Sequence, residues 1–158
     1  AQVLHGWTSE HLLKELTPLW AERGWEQPSD TSWSLNLCAL LGPSLTLLKD
    51  GVDQASPFFE CPELLDDALA QLAVDGAKAA ISDLIQRLES EPWDGTDTDR
   101  AKTWLGDAAK AAGVKKGVVM KSLRAALLGR LQGPDLITTW SLLAQIGEDL
   151  PRLRRCLG

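Results

Sequence analysis

Apolar residues recur at three- and four-residue intervals from Thr8 almost to the end of this chain. No segment alternates polar and apolar residues long enough to make a convincing strand. That pattern restricts the 158 residues to helices packed on helices, and the abundance of Ala and Leu with no Tyr agrees with it. The length allows one or two small domains. The expected fold is all-α, built as two small packed helical bundles over residues 1–60 and 61–158.

The helices are punctuated by Gly, Pro and capping residues. Thr8 is the expected N-cap of a first helix carrying Leu12, Leu13, Leu16 and Trp20, with Gly24 as its stop and a kink or break at Pro18. A loop from Glu26 to Thr31 leads to a second helix from about Ser32 to Lys49. It is kinked or broken at Gly42-Pro43 and ended by Asp50-Gly51. The Pro57-Phe58-Phe59 run reads as an aromatic plug at the boundary between bundles. Pro62 opens a helix to about Val74, and an antiparallel partner runs from Ala77 to Leu88, with Leu65, Leu69, Leu72, Ile81, Leu84, Ile85 and Leu88 between them. After a loop from Ser90 to Thr98, helices are expected at about Asp99–Ala112, Gly117–Leu131, Asp135–Ile146 and Asp149–Leu157. The seven tryptophans, Trp7, Trp20, Trp25, Trp33, Trp93, Trp104 and Trp140, are scattered along the sequence. This suits core positions better than a base-stacking platform.

Most functional classes find no support. No apolar run reaches the roughly 20 residues of a membrane span. The start lacks a secretory pattern, so a soluble cytoplasmic protein is expected. Because the sequence opens on Ala1 in what reads as mid-domain, a piece of a longer protein is expected. Cys38, Cys61 and Cys156 are widely spaced and far from His5 and His11. Three reduced thiols and no metal site are therefore expected. There is no GxSxG, HExxH, phosphate loop or Rossmann fingerprint. The carboxylate pairs Asp66-Asp67 and Glu148-Asp149 are sequence neighbours whose side chains diverge on a helix, so they read as helix N-terminal charges or solvated faces. No catalytic residue is expected in the chain.

Charge is uneven. Residues 1–99 hold 5 Lys/Arg against 18 Asp/Glu, a net of −13, whereas residues 100–158 hold 11 against 4, a net of +7. A basic segment in an acidic protein suits a polyanion, although the two halves could also attract one another. Within it, KKGVVMKSLRAALLGRLQGPDL spans Lys115 to Leu136. Val119, Leu123, Ala126, Leu127 and Leu131 form an expected core stripe. Arg124 lies at its edge between Met120 and Leu128, with Lys115, Lys116, Lys121 and Arg130 around it. A guanidinium held against packed neighbours presents a fixed fork of donors, suited to a base edge or a phosphate. It would serve equally well to bind a helix C-terminus or a carboxylate of the acidic half.

The segments KSLRAALLGRLQGPDL and SLLAQIGEDLPRLRRCL resemble the C-terminal end of bacterial-type glutamyl-tRNA synthetases. That family shows a P-L-R-x-A-L-T-G pattern, a G-P or T-P turn with a Leu just beyond, an L-L-G helix end and an R-L tail. The preceding segment, with Trp93 and Gly113-Val114, fits as well, and the part around Pro57-Phe58-Phe59 resembles the helical region joining the synthetase body to this domain. Ser122 stands for the usual Pro, Leu128 for the usual Thr, and Gln145-Ile146-Gly147 for L-L-G.

The resemblance implies an anticodon-binding module of an aminoacyl-tRNA ligase that attaches glutamate to glutamate tRNA. The implied partners are that tRNA and the catalytic domain of the same enzyme, which would supply ATP and Mg²⁺, with no cofactor in this chain and a monomeric state. It also implies that Arg124 contacts an anticodon base and that Gly133, Pro134 and Leu136 pack against another. Discriminating members carry an arginine in the earlier helical region that senses an anticodon base. Leu35 to Leu48 has none, and Gly42 lies where it would be expected, which resembles members that also charge glutamine tRNA. The competing reading is a helical protein-interaction adapter that binds no RNA, its acidic half forming the surface and Arg124 being structural.

Overall fold

The structure, a computed structural model, describes residues 6–157, so His5 lies outside it. The described residues form nine α-helices and two short 3-10 turns and contain no strand. The chain divides into two compact units, Ala1–Glu60 and Cys61–Gly158. Among the described residues, no helix is long and apolar enough to cross a membrane, and no group of His, Cys, Asp and Glu is placed to hold a metal.

The first unit is built from α1 (Ser9–Glu22), α2 (Thr31–Leu41), a 3-10 turn (Gly42–Ser44) and α3 (Leu48–Phe59). Thr8 caps α1 by accepting the His11 amide, and the helix runs unbroken through Pro18 to a stop at Gly24. Asp50-Gly51, expected to end a helix, lies instead in the first turn of α3. The Asp50 carboxylate accepts the Leu47 amide at 3.0 Å, capping the start of α3. Gly51 makes room for a neighbour: a Cβ there would fall 2.7 Å from Cδ2 of Leu16, and its carbonyl accepts the Trp20 indole at 3.2 Å. Pro57-Phe58-Phe59 is the last turn of α3. Phe58 is buried, and the Phe59 ring lies within 5.6 Å of the rings of Trp20, Trp25 and Trp33.

The second unit holds α4 (Asp66–Leu72), α5 (Ala77–Ser90), α6 (Thr98–Ala112), α7 (Lys116–Leu128), α8 (Leu136–Gln145) and α9 (Asp149–Arg154), followed by a 3-10 turn to Leu157. The central element is α7, which touches α4, α5, α6, α8 and α9 and is buried on most of its circumference. Its expected stripe is buried at Val119, Leu123, Ala126 and Leu127. Leu131 lies beyond the helix, which stops at Leu128 because Gly129 turns left-handed at φ 72°. The tryptophans of this unit also gather, Trp93 and Trp104 lying against Trp140 at 4.7 and 6.5 Å. Six of the seven scattered tryptophans thus yield an aromatic cluster in each unit.

Two expectations for α4 and α9 change. Pro62 does not open a helix: the residues before Asp66 are non-helical, with the Leu65 amide donating to the Gly129 carbonyl at 2.8 Å. Leu65 and Leu69 are about half exposed, while Ala68 and Leu72 are buried and α4 packs chiefly on α7 rather than pairing with α5. Asp66 and Asp67 do occupy the first turn of α4. Asp149 is in the first turn of α9 but is not solvated: it is 6% exposed and accepts the Trp140 indole at 3.2 Å.

The last carbonyls of a helix have no partner within it. Those of α7 find theirs at the chain end. Arg152, 1% exposed, donates to the Leu127 carbonyl at 2.9 Å and to Glu148 at 3.3 Å. Arg155 donates to the Ala126 carbonyl at 2.9 Å and also to the Pro62 carbonyl. Two cations therefore sit at the negative end of the α7 dipole, where such charge is favoured.

Three stability predictions follow from these contacts. Gly129→Ala places a Cβ 2.0 Å from the Glu63 carbonyl in a left-handed conformation. It should cost at least about 1–3 kcal/mol in thermal or urea unfolding, and an unchanged midpoint contradicts the packing. Arg152→Ala leaves the buried Leu127 carbonyl without that donor and should cost about 1–3 kcal/mol, read in the same unfolding experiment. Burial pushes the Asp149 carboxyl above its ordinary value of 3.8, so the folded chain holds that proton more readily than the unfolded one. The ionised form then weakens the fold as pH rises above that value. Asp149→Asn, which keeps an acceptor for Trp140, should melt higher than the parent at neutral pH, with the gap closing on acidification. A gap that widens as pH falls contradicts this.

Candidate nucleic-acid interface

Arg124 lies at the edge of the buried face of α7 and is itself half-buried. Its Nη1 donates to the Pro134 carbonyl at 2.6 Å, ten residues along the chain. Burial lowers its pKa and the nearby Asp135 charge opposes that shift, and a guanidinium in a protein stays a cation. One of its five donors is used in this bond. Gly133 sits directly on the helix: a Cβ there would fall 2.6 Å from Cδ1 of Leu128 and 3.4 Å from Nη1 of Arg124. The guanidinium and the Gly133-Pro134 turn therefore form one assembly, although the sequence showed them only as neighbouring features.

The loop from α7 to α8 is pinned along its length. The Gly129 carbonyl accepts the Leu65 amide, and the Leu131 amide donates to Oδ2 of Asp67 at 3.2 Å. Asp135 caps α8 by accepting the Thr138 amide at 3.0 Å. Between these anchors Gln132 and Gly133 are exposed. Leu136 is only 3% exposed, so its side chain belongs to the core beneath the turn. Lys116 and Lys121 are exposed on α7, Lys121 one turn before Arg124, and neither forms an ion pair among the described residues. Arg130 is half-buried on the loop, its Nε buried without a hydrogen-bond partner.

The basic surplus of residues 100–158 is less available than its count. Arg152 and Arg155 are bound to backbone carbonyls. Arg154 pairs with Glu89, and Arg100 pairs with Glu91 and Asp97 and lies over Trp104. The exposed lysines Lys102, Lys110, Lys115, Lys116 and Lys121 carry much of what remains. The sequence reading missed both the Arg152 and Arg155 clamp and the Asp67 anchor. Asp67 lies 64 residues from its partner, so no local pattern marks it.

In the first unit, Gly42 opens the 3-10 turn with helical backbone angles, φ −47° and ψ −48°. A Cβ there would make only an ordinary contact, 3.7 Å from Cδ2 of Leu12. It borders an open groove of about 430 Å³ lined by Trp7, Ser9, Leu12, Cys38, Ala39 and Pro43. Trp7 stacks on His11 at 4.0 Å. Cys38 is buried and its thiol is pushed up to about 12 by desolvation, so at neutral pH it is a packing group rather than a nucleophile.

The chain matches known proteins over nearly its whole length. The family model described as "Anticodon binding domain" matches residues 11–157. The glutamate–tRNA ligase of Synechococcus sp. (strain CC9605) is 81% identical over 158 residues, 100% of this chain and 33% of that protein. The one from Synechococcus sp. (strain RCC307) is 52% identical, over 99% of this chain and 33% of its own length. The chain thus spans about a third of the length of the curated relatives it matches. The glutamate tRNA ligase of Elizabethkingia meningosepticum CCUG26117 shares the fold at a TM-score of 0.81 and 22% identity, over 95% of this chain and 29% of that one. The glutamate–tRNA synthetase of Elizabethkingia anophelis superposes at 0.73 with 27% identity, over 98% of this chain and 29% of that one. This chain belongs to the anticodon-binding domain family, and its counterparts are found in glutamate–tRNA ligases.

Proposed function

We propose that the chain reads the anticodon of glutamate tRNA for an ATP-dependent ligase that attaches glutamate to it. ATP and Mg²⁺ would be used in the catalytic part of that enzyme. The observation that carries this reading is the Arg124 assembly: a half-buried cation, held by the Pro134 carbonyl, beside an exposed Gln132-Gly133 segment. Unstacked loop bases present edges and faces to such a surface, and an immobilised arginine fork discriminates a base edge by about 1–3 kcal/mol. Lys116 and Lys121 on the same helix would meet phosphates, which adds affinity without sequence preference. Leu136 contributes by seating the turn from below, and Arg130 adds charge on the loop.

Arg124→Ala should weaken binding of glutamate tRNA by about 1–3 kcal/mol and reduce the preference over an anticodon-swapped tRNA. Lys121→Ala should weaken both RNAs alike and lower the slope of log affinity against log salt by about one. Equal binding of both tRNAs by the parent and by the arginine variant would rule the assignment out.

Gly42 is the proposed permissive position for glutamine tRNA. Its open surroundings admit a long side chain without displacing the backbone. The ligase carrying this chain should therefore charge glutamine tRNA with glutamate, and Gly42→Arg should suppress that charging while sparing glutamate tRNA. A parent enzyme that leaves glutamine tRNA uncharged removes the proposal.

A further inference from the structure

We infer that Asp67 is a positioning residue for anticodon discrimination, acting through the α7–α8 loop rather than by touching RNA. The inference rests on the functional reading above. The loop from Gly129 to Asp135 is held at three points of its backbone and by one of its side chains. The Gly129 carbonyl takes the Leu65 amide, the Leu131 amide is taken by Asp67, the Pro134 carbonyl is taken by Arg124, and Asp135 caps α8. Two of these, at Pro134 and Asp135, lie after the exposed Gln132-Gly133 segment. Of the two before it, only the Asp67 bond is adjacent to that segment, and it is the only one made by a side chain from outside the α7–α8 region.

Local sequence does not constrain the segment in its place. Gln132 is exposed, and Gly133 lacks a side chain to bury. Without Asp67, the backbone from Arg130 to Gly133 would have no hydrogen bond holding it between Gly129 and Pro134, and the packing of Gly133 against Leu128 would remain as its support. Arg124 would keep its charge and its Pro134 bond, but the loop would no longer approach a base along one path. Loss of positioning costs discrimination more than affinity, because phosphate contacts persist wherever the loop lies. Asp67 also brings a negative charge near a polyanion site, so removing it raises affinity for every RNA. The informative quantity is therefore a ratio of affinities.

The experiment measures binding of this chain to glutamate tRNA and to an anticodon-swapped copy, for the parent, Asp67→Ala, Asp67→Asn, Asp66→Ala and Arg124→Ala. Amide hydrogen exchange over the α7–α8 loop is recorded alongside. Asp67→Ala should lower the cognate-to-swapped affinity ratio by about three- to tenfold, the worth of one hydrogen bond, and speed exchange at Leu131. Asp67→Asn, which retains an acceptor, should restore both. Asp66→Ala removes the same charge from the same helical turn and should leave the ratio at the parent value. An unchanged ratio in Asp67→Ala, with a lowered one in Arg124→Ala, overturns the Asp67 role and leaves the anticodon reading standing. An equal fall in Asp66→Ala overturns it too, by assigning the effect to charge. Unchanged ratios in both Asp67→Ala and Arg124→Ala overturn the anticodon reading and this role with it.

Discussion

The larger unit depends on how the C-terminal end of α7 is satisfied. A helix buried on most of its surface cannot leave its last carbonyls to water. Arg152 and Arg155 supply the missing donors at Leu127 and Ala126, and Arg155 also reaches the Pro62 carbonyl. The chain end is thereby tied to the middle of the unit, and the segment before α4 is held against α7. Gly129, with φ 72° and no Cβ to meet the Glu63 carbonyl, lets the backbone leave the helix at that point. The loop bearing the Gly133-Pro134 turn starts from this anchored end.

That arrangement changes the meaning of the charge pattern. A net of +7 over residues 100–158 suggests a broad basic face. Arg152 and Arg155 instead serve as internal donors, and Arg100 and Arg154 are matched with Glu91, Asp97 and Glu89, all in the acidic part of the sequence. Part of the asymmetry is thus internal attraction, while the lysines on and before α7 stay exposed. Arg124 is intermediate, bound to a carbonyl yet half-exposed. The turn it holds and the fork it presents are therefore coupled, so substitutions at Arg124 act on both.

Helix existence was legible from the apolar spacing, and so were several ends. Thr8, Gly24, Gly113 and Gly147 act locally, through capping and left-handed turns, and their effect is visible in short windows. Asp50-Gly51 looked like a stop, but Asp50 caps α3 and Gly51 admits Leu16 and Trp20 of α1. Pro62 looked like a start, but its carbonyl is taken by Arg155, 93 residues away. Leu65 and Leu69 looked like a packing face, yet α4 turns Ala68 and Leu72 inward. Asp50 caps within its own turn, whereas at Gly51 and Pro62 a residue with a strong local meaning was reassigned by a distant partner. The tryptophans show the same thing, because spacing along the chain does not reveal that three of them converge on Phe59 and that two others lie against Trp140.

By itself, the sequence determined that this protein is all-α, that a basic helix carries one arginine at the edge of its apolar stripe, and that a Gly-Pro turn follows it. Those properties follow from periodicity and from backbone restrictions that act within a few residues. Only the tertiary structure decided that Arg124 and the turn are one assembly, that Leu136 is buried beneath it, and that Asp67 holds the loop. It also decided that Arg152 and Arg155 are internal donors. Each of these depends on which carbonyl or amide lacks a local partner once the helices are packed, and that is set by the three-dimensional arrangement rather than by neighbours in the chain.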